Sequence, residues 1–205
     1  MENPKSKSLK IFTNIFSLYC FFLFVTTLGD IARVLEWIDD THTTKQLIAQ
    51  CGISLLEAAI WWFLRSSLDK KETLLRRCTE VIICGKILFF LMKIIPHDLT
   101  TIIYSTLIGL VGLVIAVAYI TSAIRLIRKH EGNKHTLGLI LLVGEVLIFT
   151  VMTVVGAIDV PVQAKVITNV VVSTVVNYAI AFGIDAVVTE NAKLGTVNSE
   201  TDQTA

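Results

Sequence analysis

The sequence predicts an all-α integral membrane protein of six transmembrane helices arranged as three hairpins. Three observations predict it. Hydrophobic residues make up 54% of the 205-residue chain and charged residues only 17%, with a mean hydropathy of +0.70, more apolar matter than one soluble core would hide. Runs of about 20 apolar residues, the length that crosses a hydrocarbon core of about 30 Å, recur along the chain between charged or proline-bearing links. The basic residues alternate between links. Barrel strands would alternate apolar and polar side chains, whereas "LIGLVGLVIAVAYI" is apolar on every side.

The expected spans run from Lys10 to Leu28, Gln46 to Leu64, Thr79 to Ile95, Thr100 to Ile124, Thr136 to Ile158 and Val162 to Val187. The first follows Lys5, Lys7 and Lys10 as a signal peptide would, but its apolar stretch is too long and no small-residue cleavage site follows, so it reads as a retained helix. Between the first two spans, "GDIARVLEWIDD" sets Asp30, Arg33 and Glu36 three apart. This spacing predicts an amphipathic extension lying at the interface, with Trp37 as its anchor; a solvated loop is the alternative. The spans form a domain over residues 1–190. The polar residues 191–205 read as a disordered cytoplasmic tail.

Orientation follows from the basic residues. Thirteen of the 18 fall in the N-terminus, the second and fourth links and the tail, which places both termini in the cytoplasm and the chain in the cytoplasmic (inner) membrane. The opposite face carries Asp30, Glu36, Asp39, Asp40, Asp98 and Asp159 with His42 and His97. These two histidines are candidates for pH sensing, since imidazole titrates near neutrality. Dispersed basic residues and a net charge of +1 argue against nucleic acid as a partner. The lipid bilayer is the expected partner, with a second copy or another membrane protein as further ones.

Within the spans three charges stand out. "ICGKILFF" (residues 83–90) and "LVGEVLIF" (residues 142–149) share one apolar frame, the first around Lys86 and the second around Glu145, and Glu57 lies in the second span. Counting at about 1.5 Å per residue from the basic links puts all three roughly 12 to 15 Å from the cytoplasmic boundary. A charge at that depth costs about 2.5–3.5 kcal/mol or more, so the three are expected to face inward, with Lys86 between Glu57 and Glu145. In the sixth span Asn169, Ser173 and Asn177, at i, i+4 and i+8, form a polar stripe. Gly109, Gly112 and Ala116 in the fourth are expected to permit close helix approach.

Enzyme chemistry lacks its motifs. His42, His97, His130 and His135 all lie in links, so none is placed to ligate a haem in the bundle, and no cofactor is expected. Cys20, Cys51, Cys78 and Cys84 form no C-x-x-C pair and read as free thiols. "CGIS" offers a serine but no intramembrane base, and no Walker A or dinucleotide glycine pattern is present. The expectation is a protein that is not an enzyme.

Gly85, Phe90 and Tyr119 fall on Gly144, Phe149 and Tyr178 at an offset of 59, and Gly52 and Arg65 on Gly112 and Arg125 at an offset of 60. These matches suggest three copies of one two-helix unit, with shared composition and equal spacing as the alternative. Three short-linked hairpins with small residues in the spans and the basic "RLIRKHEGNKH" (residues 125–135) before the fifth span give a layout that resembles the HdeD-like acid-resistance membrane proteins, most closely over residues 96–188. The chain departs from that pattern in having few glycines and only Pro96 and Pro161 near the outer turns. The resemblance implies a multi-pass membrane protein associated with stress or acid tolerance, and no catalytic site. The alternative is a small transporter or substrate-binding membrane subunit built on Glu57, Lys86 and Glu145 with the α-helical polar stripe.

Overall fold

A computed structural model describes the backbone of residues 4–37, 43–94 and 101–201, and the side chains of residues 7–37, 48–92, 94 and 106–193. The fold is all-helical. Its elements are α1 (Pro4–Val34), α2 (Thr43–Ser67), α3 (Thr73–Ile94), α4 (Thr101–Lys129), α5 (Gly132–Ala157) and α6 (Val162–Thr201). Each overlaps one expected apolar run and extends beyond it into polar turns, because propagating an existing helix adds a hydrogen bond for each residue fixed.

The α2–α3 and α4–α5 links are short and locally specified. Between α2 and α3 the Lys71 N–H donates to the Asp69 carboxylate at 3.0 Å and the Glu72 N–H to the Asp69 carbonyl at 3.0 Å, a side-chain-supported turn. Only His130 and Glu131 separate α4 from α5, and Gly132 takes a φ of +64°, a conformation that a side chain at this reversal would resist. Such links force neighbouring helices to run antiparallel. Each helix accordingly packs on its chain neighbours, α6 closes the ring against α1, and α2 also reaches α6.

Of the stretch expected to form an interfacial extension, the residues up to Val34 belong to α1, and those from 38 to 40 lie outside the described residues. The Glu36 N–H donates to the Arg33 carbonyl and the Trp37 N–H to the Ala32 carbonyl, both at 2.9 Å, with Glu36 at φ +58°. This paired closure ends a helix by turning it into the left-handed region, so the amphipathic pattern stops at Glu36. The chain expected to be disordered from residue 191 remains helical as far as Thr201. Its first residue is tied down: Asn191 donates to the Ser67 carbonyl at 3.1 Å. Nothing in the next ten residues is a proline that would break the helix.

Among the described residues, four helices, α1, α4, α5 and α6, are long and apolar enough to cross a membrane. In α2 the sequence is diluted by Gln50, Ser54, Glu57 and Arg65, and in α3 by Arg76, Arg77, Glu80, Lys86 and Lys93. Large apolar side chains are exposed around the bundle, Phe149 at 74% and Phe21 at 62% among them, as expected of surface that meets hydrocarbon. Burial is uneven along the axis. In α5 the buried residues lie between Leu137 and Gly144, and in α6 between Val176 and Val188, so the tight packing sits toward the end that carries the α2–α3 and α4–α5 links.

Close helix approach uses different glycines from those expected. Nothing lies within 4 Å of a Cβ built at Gly109 or Gly112, because that face of α4 does not meet a neighbour. At Gly138 the built Cβ would stand 2.8 Å from the Leu126 Cβ and 3.0 Å from the Ala123 carbonyl oxygen, at Gly144 2.7 Å from Val176, and at Gly183 2.9 Å from Leu137. The small residues that matter thus line the α4–α5 and α5–α6 seams and, at Gly85 against Ile115, the α3–α4 seam. Gly138→Ala is expected to lower the unfolding free energy by about 1–3 kcal/mol through overpacking against backbone, whereas Gly112→Ala should be neutral or gain up to about 1 kcal/mol of helix propensity. Denaturation of the purified chain in detergent measures both; equal effects would contradict this packing.

Candidate functional site

The charged core begins with Glu57, placed on the inner face of α2 by the buried Ser54, Ala58 and Trp61 around it. Lys86 occupies the facing side of α3, whose neighbouring Ile82, Ile83 and Gly85 are buried. The Lys86 Nζ lies 2.6 Å from the Glu57 Oε1, and the two side chains are only 17% and 13% exposed. Such a pair has shed most of its water, and leaving either partner alone there would be costly.

Aromatic rings enclose the pair. The Lys86 ammonium stands 5.9 Å from the centroid of the buried Tyr119 ring, within range of attraction to its π face. Tyr119 meets Trp61 edge-on, centroids 5.2 Å apart at 63°. On the other side of Glu57 a void of about 10 Å³, bounded by Tyr19, Glu57, Trp61 and Asn177 among others, is the size of one water molecule. Asn177 therefore brings one end of the polar stripe to the carboxylate. Asn169 and Ser173 are half-buried further along α6 and do not line the void, and the Asn169 Oδ1 is buried without a hydrogen-bond partner among the described residues.

Glu145 takes a second position. It is half-buried on α5 and close enough to feel the charge of Lys86, but no ion pair joins the two among the described residues. The ring order explains this: α3 packs on α2 and α4, whereas α5 packs on α4 and α6. One ammonium is thus shared unequally between two carboxyl groups. His42 and His97 lie outside the described residues.

Residues that a search for charges in apolar runs passes over complete the site. Tyr19 and Tyr119 are these residues, and in sequence they are only hydroxyl-bearing rings within apolar runs. A second polar layer, read from the sequence only as loop charge, binds the linked end of the bundle. Arg65 on α2 donates its Nε to Glu80 on α3 at 2.7 Å, and Arg125 on α4 donates its Nε to Glu72 at 3.4 Å. The His130 Nε2 lies 3.7 Å from the other Glu72 oxygen. The equivalent spacing of Arg65 and Arg125 was the available signal for this layer.

Burial holds the His130 imidazole below its usual pKa, and the positive charges of Lys134, Arg125 and Lys129 act in the same direction against the opposing pull of Glu72. A histidine whose folded pKa is depressed binds protons more readily when unfolded. Stability is therefore lost as pH falls from about 6.5 through the folded value.

Two expectations follow from this geometry. The melting temperature in detergent should fall between about pH 7 and pH 5.5, and His130→Gln should remove part of that slope; an unchanged slope would show that His130 does not titrate within the fold. Separately, Lys86→Met should cost about 3–5 kcal/mol by stranding Glu57, and adding Glu57→Gln should restore more of the folded yield than adding Glu145→Gln. Equal rescue by the two glutamines would contradict the pairing.

Compared with family models, with curated proteins and with solved structures, the chain finds no match in any of the three.

Proposed function

We propose that the chain is a six-span protein of the cytoplasmic membrane, with both termini in the cytoplasm, that contributes to stress or acid tolerance without catalysing a reaction, as the HdeD-like layout implies. In this reading α2 and α3 cross the bilayer with the other four helices, and the three hairpins are copies of one unit. The observation that carries it is the buried Lys86–Glu57 pair with Glu145 in electrostatic range. Charges of this kind are tolerated in apolar helices when they face one another, which is how two less apolar helices can still be membrane spans. With two carboxyl groups to one ammonium, the cluster carries either a net negative charge or an added proton. Its charge state therefore couples the bundle to acidity, and His42 and His97 on the outer face would add to that response.

A second reading, a small transporter, is favoured by the meeting of Asn177 with Glu57 at the water-sized void. A void of that size suits a proton or a small cation handed along the stripe of Asn169, Ser173 and Asn177 to the carboxylates of Glu57 and Glu145, with Lys86 as their counter-charge. Self-association, or assembly with another membrane protein, is compatible with either reading.

Topology and physiology are tested separately. In a cysteine-free background, Asp159→Cys should react with an impermeant thiol reagent in intact cells, whereas Lys71→Cys and Asn133→Cys should react only after permeabilisation. Labelling of either of the latter in intact cells would overturn the six-span reading. Cells lacking the chain should survive an acid shift less well than cells carrying it, and Glu145→Gln should insert normally yet fail to restore survival. Unimpaired survival without the chain would remove acid tolerance from the account. Proton or cation flux in proteoliposomes that Glu57→Gln abolishes would favour the transporter.

A further inference from the structure

Two surface grooves differ in one respect that has chemical meaning. A groove of about 310 Å³ between α5 and α6 is walled by Leu139, Val143, Leu147 and Val175 and has no polar side chain along it. A groove of about 650 Å³ between α3 and α4 is equally apolar over most of its length, with Val81, Cys84, Leu88, Leu110 and Val114 as walls, but ends at Arg77 and Glu80. Its floor is the contact of Ile115 with Gly85, where a Cβ would stand 2.5 Å from the isoleucine side chain. Glu80 is engaged by Arg65 at 2.7 Å. Arg77 is exposed, and no carboxylate lies within ion-pair distance of it among the described residues.

We propose that the α3–α4 groove holds one acyl chain of an anionic glycerophospholipid of the cytoplasmic leaflet, with the lipid phosphate on the Arg77 guanidinium. This rests on the six-span reading, which places Arg77 at the cytoplasmic boundary. The dimensions agree: eleven residues from Arg77 to Leu88 rise roughly 16 Å, about half of a 30 Å hydrocarbon core and hence one leaflet deep. The chemistry agrees as well. A planar guanidinium matches a phosphate through two parallel hydrogen bonds, and basic pockets between helices on the cytoplasmic side are suited to anionic head groups. An apolar helix from a second copy would fill the walls but leave Arg77 without an anion. The α5–α6 groove can take a chain but has nothing with which to choose a head group.

The full-length chain, extracted in mild detergent with equal amounts of phosphatidylglycerol and phosphatidylcholine, should retain phosphatidylglycerol at least fivefold over phosphatidylcholine by native mass spectrometry. Arg77→Gln should bring the ratio within twofold, and Arg77→Lys should fall between. Leu88→Trp, which blocks the groove, should reduce retention of both lipids, while Val143→Trp in the α5–α6 groove should leave the preference intact; helix content by circular dichroism identifies variants that have folded. Equal retention of the two lipids by the unaltered chain, an unchanged preference in Arg77→Gln, or a lipid-free dimer that Leu88→Trp disrupts would overturn the proposal. Peptide mapping of Cys84 after treatment of phosphatidylglycerol liposomes with an impermeant thiol reagent separates the two levels. A labelled Cys84 would show α3 outside the bilayer and defeat the six-span reading, whereas a shielded Cys84 with no lipid preference would defeat the groove alone.

Discussion

The ion pair between Lys86 and Glu57 is the constraint on which the rest of the bundle depends. At 2.6 Å, and largely withdrawn from solvent, it obliges α2 and α3 to stay side by side, because a charge left alone in that setting costs more than the pair returns. These are also the two helices whose polar residues keep them below the apolar character of the other four. Their neighbours supply what they lack. Tyr119 on α4 covers the ammonium, Trp61 braces Tyr119, and α1 and α6 close the side of Glu57 through Tyr19, Ile180 and Ile184. The contact of α2 with α6 across the ring is what allows this enclosure.

Polar bonds along the other seams are local and mostly neutral. Tyr178 donates its hydroxyl to the Cys20 carbonyl at 2.7 Å, and the Thr27 and Thr174 hydroxyls meet at 2.8 Å, so α1 and α6 are joined without charge. Charged partners gather where the links are, with Arg65, Glu72, Glu80, Arg125 and His130 bridging α2, α3 and α4. The glycines of α5 and α6 bring their backbones close at the same end. Toward the opposite end α5 and α6 bury less of themselves. In α5 and α6 the linked end is thus the more tightly packed one.

The six helices were legible because length and unbroken apolarity are properties of a segment on its own. Glu57 and Lys86 turn inward, as a charge in an apolar run must, and Glu145 does so in part. Which charges touch was not legible. Pairing Lys86 with Glu57 rather than equally with Glu145 depends on the ring order of helices, and nothing local to "ICGKILFF" encodes that α4 stands between α3 and α5. The glycines misled in the same way: Gly109 and Gly112 have the spacing of a packing motif, but the face they share meets no neighbour. The end of α1 escaped because Glu36 occupies a left-handed position that glycine usually marks. The tail was judged by polarity alone, whereas its helix is continued from an anchored turn at Asn191. Tyr119 was unremarkable in sequence because a ring that covers a cation looks like any other apolar residue until the cation is placed beside it.

A charge exchange addresses the pair without removing it. In Glu57→Lys and in Lys86→Glu taken singly, like charges face each other in a site with little water, and folded, monodisperse protein should be lost. The double exchange restores opposite charges across the same gap. If the Lys86–Glu57 contact organises the bundle, the exchanged chain should recover most of the folded yield that either single change destroys. A double variant no better than the worse of the two singles would show that this contact does not hold α2 to α3, and the account of the core would fall with it.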